Sequence, residues 1–267
     1  MRIAEKKSSS AWLLRLLLLL LVITCIWAIS KLQAVGQQYD DLSSQLSKQP
    51  IVIASEQIGD TRIKIPSYDL FDEENIWVLV SRDQLLSSEF KPELSDVTVP
   101  HGDANSPMKV ATVISDSLES LVNAAKADGH DLMLSSAHRS REDQQRTYDG
   151  FVAESGTELA NLYVLPPGGS EHQTGLAVDF SSASTPCELD SDDCSLSTSD
   201  AAWLADNASR FGFILRYPEG KTSATSVRYE PWHYRYLGPV LAQAVDASGL
   251  TYEEVIEQIV PGYLRSR

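Results

Sequence analysis

Two histidines, an aspartate and a glutamate in the second half of the chain are of the types that bind and use a hydrolytic metal ion. His172 and Asp179 lie close together, and Glu230 and His233 form a second group further along. A zinc site that hydrolyses a bond needs three His, Asp or Glu ligands, an open position for water, and a nearby carboxylate that takes the proton of that water. The four residues supply such a set, although each of them alone is a weak signal.

An alternating segment predicts the strand that carries the aspartate. In residues 175–180, Gly175, Ala177 and Asp179 point to one face, and the larger apolar side chains point to the other. The small residues leave room for a metal beside Asp179, and His172 lies at the entrance of the strand. We therefore expect His172 and Asp179 to meet at one site.

The second group lies where a further strand is predicted. Residues 232–236 alternate, and strict alternation would place Glu230 on the opposite face from His233. Pro231 interrupts the regular ladder between them. A local bend at Pro231 is therefore the condition for bringing both side chains to one site.

The residues around this set form an ordered motif. It reads Ser170-x-His172-x-x-Gly175-x-Ala177-x-Asp179, followed by Glu230-x-Trp232-His233. Together with the strings SEHQTGLAVDF, FGFILRYPEGK and YEPWHYRY, it resembles the D-alanyl-D-alanine carboxypeptidases of the VanY type, within the LAS group of zinc peptidases. The resemblance covers residues 76–262 and leaves the N-terminal region outside it.

The resemblance implies a role for each matching position. It assigns His172, Asp179 and His233 as ligands of one Zn²⁺ per chain, and Glu230 as the general base for attack by the zinc-bound water. Arg139, in the string SAHRS, falls on the arginine that polarises the scissile carbonyl and steadies the oxyanion in the family.

Three more positions concern the substrate pocket. Ser170 and Gln144 match residues that hold the peptide substrate. His138 stands where family members commonly have tyrosine. We expect His138 to line the pocket wall rather than to be a fourth ligand, because a catalytic zinc keeps one position open.

The implied activity is removal of the C-terminal D-alanine from peptidoglycan stem peptides. The alternatives are an LD-carboxypeptidase that acts on tetrapeptide stems and a non-catalytic wall-binding module of the same fold. A D-Ala-D-Ala dipeptidase is less favoured, because the strings match the carboxypeptidase branch. No GxSxG motif occurs, which argues against serine-type chemistry.

Periodic patterns in the rest of the chain predict an α+β fold with a central antiparallel sheet flanked by helices. An apolar stripe over residues 114–125 predicts a helix, and residues 132–136 predict a strand. Ser140 and the Thr251–Glu254 pair are N-terminal capping signals. Because no βαβ unit repeats, a parallel α/β fold is disfavoured.

The N-terminal region predicts a membrane anchor. Residues 11–29 read AWLLRLLLLLLVITCIWAI, and a bilayer core requires a helix of about 20 apolar residues. Most nearby positive charges precede it, which favours a cytoplasmic N-terminus and an extracytoplasmic catalytic domain. The predicted organisation is a cytoplasmic segment 1–10, a single transmembrane helix or signal-anchor 11–30, a stalk 31–69 and the enzyme domain 70–267. A cleaved signal peptide and a lipoprotein modified at Cys25 are the alternatives.

The amino-acid composition limits the possible binding partners and indicates the cellular compartment of the chain. Lys and Arg number 22 against 37 Asp and Glu, a net charge of −15, so we expect no binding to nucleic acid. Of the three cysteines, Cys187 and Cys194 lie close together. In an exported chain this pair predicts a disulfide that closes an acidic loop, and two free thiols are the alternative.

Overall fold

The structure, a computed structural model, describes residues 56–58, 61–63, 70, 72–102, 107–183 and 196–265, together with helical positions 24, 27, 30, 31 and 33. The predicted anchor at 11–30 therefore lies almost wholly outside the described residues, and so does the predicted Cys187–Cys194 pair. Within the part that is described, no helix is both long enough and apolar enough to cross a bilayer. Residues 51–267 form one compact unit.

Antiparallel strands build the centre of this unit. The strands are β1 (Glu56–Ile58), β2 (Thr61–Ile63), β3 (Leu94–Asp96), β4 (Lys109–Ala111), β5 (Leu132–Ser136), β6 (Ala177–Ser182), β7 (Phe213–Leu215) and β8 (His233–Tyr236). Four of them form the main sheet in the order β5-β6-β8-β7, and every neighbouring pair is antiparallel. The pairs β1–β2 and β3–β4 are separate two-stranded sheets. The predicted antiparallel α+β architecture is confirmed.

Helices connect and cover these strands. They are α1 (Ser115–Ala127), α2 (Arg141–Ser155), α3 (Thr157–Tyr163), α4 (Thr198–Asn207), α5 (Thr222–Thr225), α6 (Pro239–Ser248) and α7 (Tyr252–Ile259). The predicted caps are present. The Ser140 side chain accepts a hydrogen bond from the Asp143 amide at the start of α2. Thr251 and Glu254 form a reciprocal capping box at the start of α7.

Apolar side chains bury both faces of the main sheet. On one face, Val178, Phe180 and Tyr234 pack with the apolar stripe of α1 and with Leu204 of α4. On the other, Ile214 and the residues that follow β8 pack with α6 and α7. A sheet covered on both sides is rigid, because its strands are close-packed rather than solvated. It therefore provides a firm support for side chains that project from β6 and β8.

Candidate metal centre

The register of two central strands brings the predicted aspartate and the second histidine together. Asp179 of β6 and His233 of β8 are direct partners in the antiparallel ladder. His233 Nδ1 lies 2.9 Å from Asp179 Oδ1. Cross-strand partners have neighbouring Cβ atoms on the same face of a sheet, so this contact follows from the pairing itself.

His172 reaches the same point from a short 3₁₀ turn, Glu171–Thr174, that leads into β6. Gly175 ends this turn in the left-handed conformation, with φ of 68°. A Cβ on Gly175 would lie 2.6 Å from the Ala111 amide nitrogen, so only glycine fits between the turn and β4. This close approach places His172 Nε2 3.2 Å from Asp179 Oδ2.

The three side chains fit a metal ion. Their ligand atoms all lie within 4.8 Å of one another. Asp179 Oδ1 is buried and makes no hydrogen bond with any described residue. Buried polar atoms rarely remain unsatisfied, and a cation among these atoms would satisfy it. Two imidazoles and one carboxylate are a typical ligand set of a catalytic zinc, which leaves a fourth position for water.

A hydrogen bond orients the imidazole of His172 toward this centre, and a carboxylate faces the outer ring nitrogen of His233. His172 Nδ1 donates to the Ala137 carbonyl oxygen at 2.8 Å, so its Nε2 lone pair faces Asp179. His233 presents Nδ1 to Asp179, while its Nε2 lies 3.6 Å from Glu171 Oε2. A ligand histidine commonly has such a partner on its other ring nitrogen. The two rings meet edge to face, with centroids 4.9 Å apart.

Glu230 joins the centre through the predicted bend at Pro231. The backbone turns before β8, where the His233 amide donates to the Glu230 carbonyl oxygen. Glu230 Oε2 lies 3.9 Å from His233 Nδ1. The alternation of residues 232–236 does not extend back to Glu230, because β8 begins at His233. Glu230 therefore lies beside the metal-ligand cluster without belonging to it.

The pKa values of these groups in the metal-free protein reflect burial and mutual charge. Burial raises the pKa of Glu230 to about 7, and the positive charge of His233 only partly offsets this. Burial lowers the pKa of His172. Burial also opposes protonation of His233, but the nearby carboxylates of Asp179 and Glu171 outweigh it and raise the pKa to about 9. For Asp179 the burial effect is outweighed by His172 and His233, which hold its pKa well below the usual range.

Arg139 is fixed beside the cluster by side-chain and backbone contacts. Its guanidinium donates to Gln144 Oε1 at 3.1 Å and to Ser136 Oγ at 3.3 Å. Its amide donates to the His172 carbonyl oxygen. Gln144 is buried and donates in turn to the Leu165 carbonyl oxygen at 2.7 Å. In this structure Gln144 therefore orients Arg139, and its contact with substrate stays a prediction.

The other two predicted pocket residues also lie near the centre. Ser170 is buried and immediately precedes the turn that carries His172. His138 is half-buried, and after burial itself the charge of His172 is the largest influence that lowers its pKa. Among the described residues, the group able to hold a metal comprises His172, Asp179 and His233 without His138.

A buried group of four charged residues beneath the centre was not predicted. Glu171 Oε1 accepts hydrogen bonds from Arg216 Nε at 2.8 Å and from Arg235 Nη1 at 3.0 Å. Arg216 also forms a bidentate pair with Glu253, at 2.9 and 2.6 Å. Burial disfavours the ionised form of Glu171, but the two arginines outweigh this effect and lower its pKa. The only sequence signal was the presence of an arginine inside each of two apolar strand segments, FILRY and HYRY.

Arg228 is a further residue near the centre that the sequence did not predict. Its guanidinium lies 4.4 Å from the ring centroid of Tyr163 and 6.0 Å from that of Trp232. Its buried Nε has no hydrogen-bond partner among the described residues. Its charge partly offsets the burial that raises the pKa of Glu230. Arg228 therefore adds positive charge close to the base.

Comparisons with known proteins agree with this geometry. The profile of the VanY family, described as D-alanyl-D-alanine carboxypeptidase, matches residues 107–239. YodJ of Bacillus subtilis (strain 168), which bears a carboxypeptidase name, is 38% identical over 191 residues, or 70% of this chain and 68% of YodJ.

Solved structures share the fold. The LD-carboxypeptidase LdcB has a TM-score of 0.65 at 37% identity, over 70% of this chain and 87% of LdcB. A vancomycin-resistance D,D-pentapeptidase VanY, solved in complex with Zn(II), has a TM-score of 0.58 at 34% identity, over 69% of this chain and 99% of that one.

A two-histidine, one-aspartate centre with an adjacent glutamate, supported by this antiparallel sheet, defines a metallopeptidase. The chain belongs to the VanY family of D-alanyl-D-alanine carboxypeptidases. The resemblance noted in the sequence is thereby confirmed.

Proposed function

We propose that this protein is a zinc carboxypeptidase that removes the C-terminal D-alanine from peptidoglycan stem peptides ending in D-Ala-D-Ala. One observation carries the proposal: His172, Asp179 and His233 converge on one point, with Glu230 Oε2 3.9 Å from the His233 ligand nitrogen. The family name and the zinc complex of the related VanY support both the substrate and the metal.

The groups at the centre have separate roles in peptide hydrolysis. A bound zinc ion supplies a Lewis acid for a water molecule and for the scissile carbonyl. Glu230 accepts the proton of the attacking water and passes it to the departing amine as the C–N bond breaks. In the metal-free protein, burial raises the pKa of Glu230 to about 7, above that of an exposed carboxylate. The products are the shortened peptide and free D-alanine.

Arg139 stabilises the charge that develops on the carbonyl oxygen. A donor lowers the barrier when it is already aimed at the position where charge will form. The hydrogen bonds from Arg139 to Gln144 and Ser136 fix the guanidinium before substrate arrives. Gln144 thus contributes to catalysis through Arg139 even without touching the peptide.

The second candidate is an LD-carboxypeptidase that acts on tetrapeptide stems. The similarity to LdcB, with a TM-score of 0.65 and 37% identity, is the observation that favours it. The two activities differ in the residue before the scissile bond: D-alanine in the first, and an L-centre in the second. They use the same metal, base and arginine.

Product analysis separates the two activities. Purified full-length protein in detergent, loaded with zinc, is incubated with penta- and tetrapeptide stems, and the products are weighed by mass spectrometry. We expect conversion of the pentapeptide to the tetrapeptide with release of one alanine. Conversion of the tetrapeptide alone would replace the DD assignment by the LD assignment. Cleavage of neither stem by zinc-loaded protein would favour a wall-binding module.

We also propose that the catalytic domain is extracytoplasmic and tethered to the bacterial cell membrane by residues 11–30. The apolar run and the preceding Arg2, Lys6 and Lys7 support this orientation. In that compartment Cys187 and Cys194 would form a disulfide. Peptide mapping without reduction tests it: a linked pair of peptides is expected, and two alkylated free cysteines would contradict it.

A further inference from the structure

The turn that carries His172 also carries an acidic residue directly beneath His233. Glu171 is fully buried, and its Oε1 accepts from both Arg216 and Arg235. Its other oxygen, Oε2, has no hydrogen-bond partner among the described residues and lies 3.6 Å from His233 Nε2. That ring nitrogen is also buried and without a hydrogen-bond partner in the same part of the chain. One unsatisfied acceptor therefore faces one unsatisfied ring nitrogen.

We infer that Glu171 is a positioning residue, which holds His233 in the tautomer and ring orientation that the metal requires. The inference rests on the metal site of the proposed function. A metal on His233 Nδ1 requires the ring hydrogen to be on Nε2, which then needs an acceptor. Glu171 Oε2 is in place to accept it.

The surrounding contacts fix Glu171 itself. Arg235 is anchored by hydrogen bonds to the carbonyl oxygens of Ile76 and Val78, each at 2.8 Å. Arg216 is anchored by Glu253 of α7. Guanidinium groups held at both ends keep the carboxylate from rotating toward other partners. Glu171 is thus held by Arg235 of β8 and by Arg216, which directly follows β7.

A glutamine at position 171 can accept hydrogen bonds from the arginines or from His233, but not from both. Its shape matches glutamate, but it has one carbonyl oxygen and one NH₂ group. Arginine donors face Oε1 and the imidazole N–H faces Oε2, so the NH₂ group must oppose a donor on one side. Glu171→Gln therefore removes the acceptor of His233 or that of the arginines. Glu253→Gln is the matched control, because it also neutralises a partner of Arg216 but does not face His233.

The test measures the metal rather than turnover. Zinc affinity of wild-type protein, Glu171→Gln and Glu253→Gln is determined by competition with a chromogenic chelator, and the visible spectrum is recorded after loading with Co²⁺. We expect Glu171→Gln to weaken zinc binding by about 10- to 100-fold and to change the Co²⁺ spectrum. We expect Glu253→Gln to retain wild-type affinity to within about 3-fold. The melting temperatures of the metal-free proteins show separately how much each substitution destabilises the fold.

Three results would overturn or redirect the inference. Wild-type zinc affinity and an unchanged Co²⁺ spectrum in Glu171→Gln would overturn it. An equal loss of affinity in Glu253→Gln would overturn it too, because the effect would then belong to the buried charges in general. Failure of the wild-type protein to bind zinc would count against the proposed function instead.

A measurement on the wild-type protein covers the case in which Glu171→Gln does not fold. In zinc-loaded protein labelled with ¹⁵N-histidine, the His233 Nε2–H proton is expected as a slowly exchanging signal, shifted downfield by a carboxylate acceptor. An Nε2–H that exchanges as fast as that of a solvent-exposed imidazole would contradict the inference.

Discussion

At the scale of single residues, two neighbouring groups of the metal-free centre have opposite reasons for their raised pKa values. Glu230 is raised to about 7 because burial disfavours its charge. The pKa of His233 is raised to about 9 because the carboxylates of Asp179 and Glu171 favour its protonated form despite burial. The first shift makes ionised Glu230 costly to bury, and the second keeps His233 protonated at neutral pH. Each shift has a measurable consequence.

Glu230→Gln is expected to stabilise the metal-free protein above neutral pH. The folded-state pKa of Glu230 lies above its ordinary value of 4.5, so folding favours the protonated form. This contribution is complete below pH 4.5 and is lost as the pH rises to about 7. The difference in unfolding free energy should approach about 3 kcal/mol above pH 7 and vanish near pH 4.

Urea unfolding of both proteins in chelator, from pH 4 to pH 8, measures this difference. Other titrating groups are common to the two proteins and cancel in the comparison. If the unfolding free energies of the two proteins changed in parallel with pH, ionised Glu230 would not be destabilised by its surroundings, which would contradict the prediction.

Zinc binding is expected to release a proton from His233. With its pKa raised to about 9, this imidazole is mostly protonated at pH 8, and the metal needs its Nδ1 lone pair. About one proton per zinc should be released at pH 8, and zinc affinity should rise with pH until about pH 9. Calorimetry in two buffers of different ionisation enthalpy counts the protons, and a count near zero would be the contrary result.

The three residues able to hold a metal could be predicted from the sequence, whereas the residues that position them could not. His172, Asp179 and His233 have a fixed order and spacing in a motif. Arg216 and Arg235 meet Glu171 only after β7 and β8 pair and α7 packs beneath them. Charged residues are ordinarily exposed, so no local pattern predicts that these would be buried together.

At the scale of elements, the residue between the His172 turn and β6 is limited both in backbone conformation and in the space for a side chain. Gly175 has φ of 68°, and a Cβ there would meet the Ala111 amide nitrogen at 2.6 Å. Gly129 also has a positive φ, of 90°, but open space around it. The two glycines therefore share a conformational requirement and differ in the room for a side chain.

Gly175→Ala is expected to destabilise the protein by about 1–3 kcal/mol more than Gly129→Ala. Both alanines have a strained backbone, but only the one at 175 must displace β4. Denaturant unfolding compares the two variants, and zinc titration should show weaker binding for Gly175→Ala alone. Equal loss of unfolding free energy in the two variants would mean that β4 moves away from the new methyl group at position 175 without a free-energy cost, contrary to the prediction.

Local patterns predicted β5, β6, β8 and two helix caps, but they did not predict the order of the strands. Alternation identified β6, and the bend at Pro231 correctly explained how Glu230 joins His233. The order β5-β6-β8-β7 places β8 between two strands that precede it in the chain. Such pairing depends on contacts between distant segments, which the period of one segment does not encode.

At the scale of the whole molecule, the catalytic unit extends further toward the N-terminus than the motifs do. The antiparallel pair β1–β2 falls within the predicted stalk 31–69 and lies beside α6 and α7. Leu70, Trp77 and Leu79 also pack against the C-terminal helices. The division of the chain at residues 69 and 70 stays a prediction.

The anchor proposal predicts the cellular location of the full chain. Expressed in a bacterial host, the full-length protein should sediment with membranes and be cleaved by protease added to spheroplasts. Removing residues 1–30 should leave the shortened protein in the cytosol, which is the matched control. Intact protein that resists protease outside the membrane would contradict the orientation, and a mature protein lacking the apolar segment would indicate a cleaved signal peptide.

The most direct test of the account compares zinc content with turnover in Glu230→Gln. Glu230 is not among the metal-ligand group, so the variant should still hold one zinc per chain. Removal of a general base should lower kcat/KM for a stem pentapeptide by about 10²- to 10⁴-fold. Glu254→Gln, which changes a partly exposed carboxylate on α7, serves as the control. Full zinc content with collapsed hydrolysis is the predicted result, and turnover within a few-fold of wild type would contradict the mechanism.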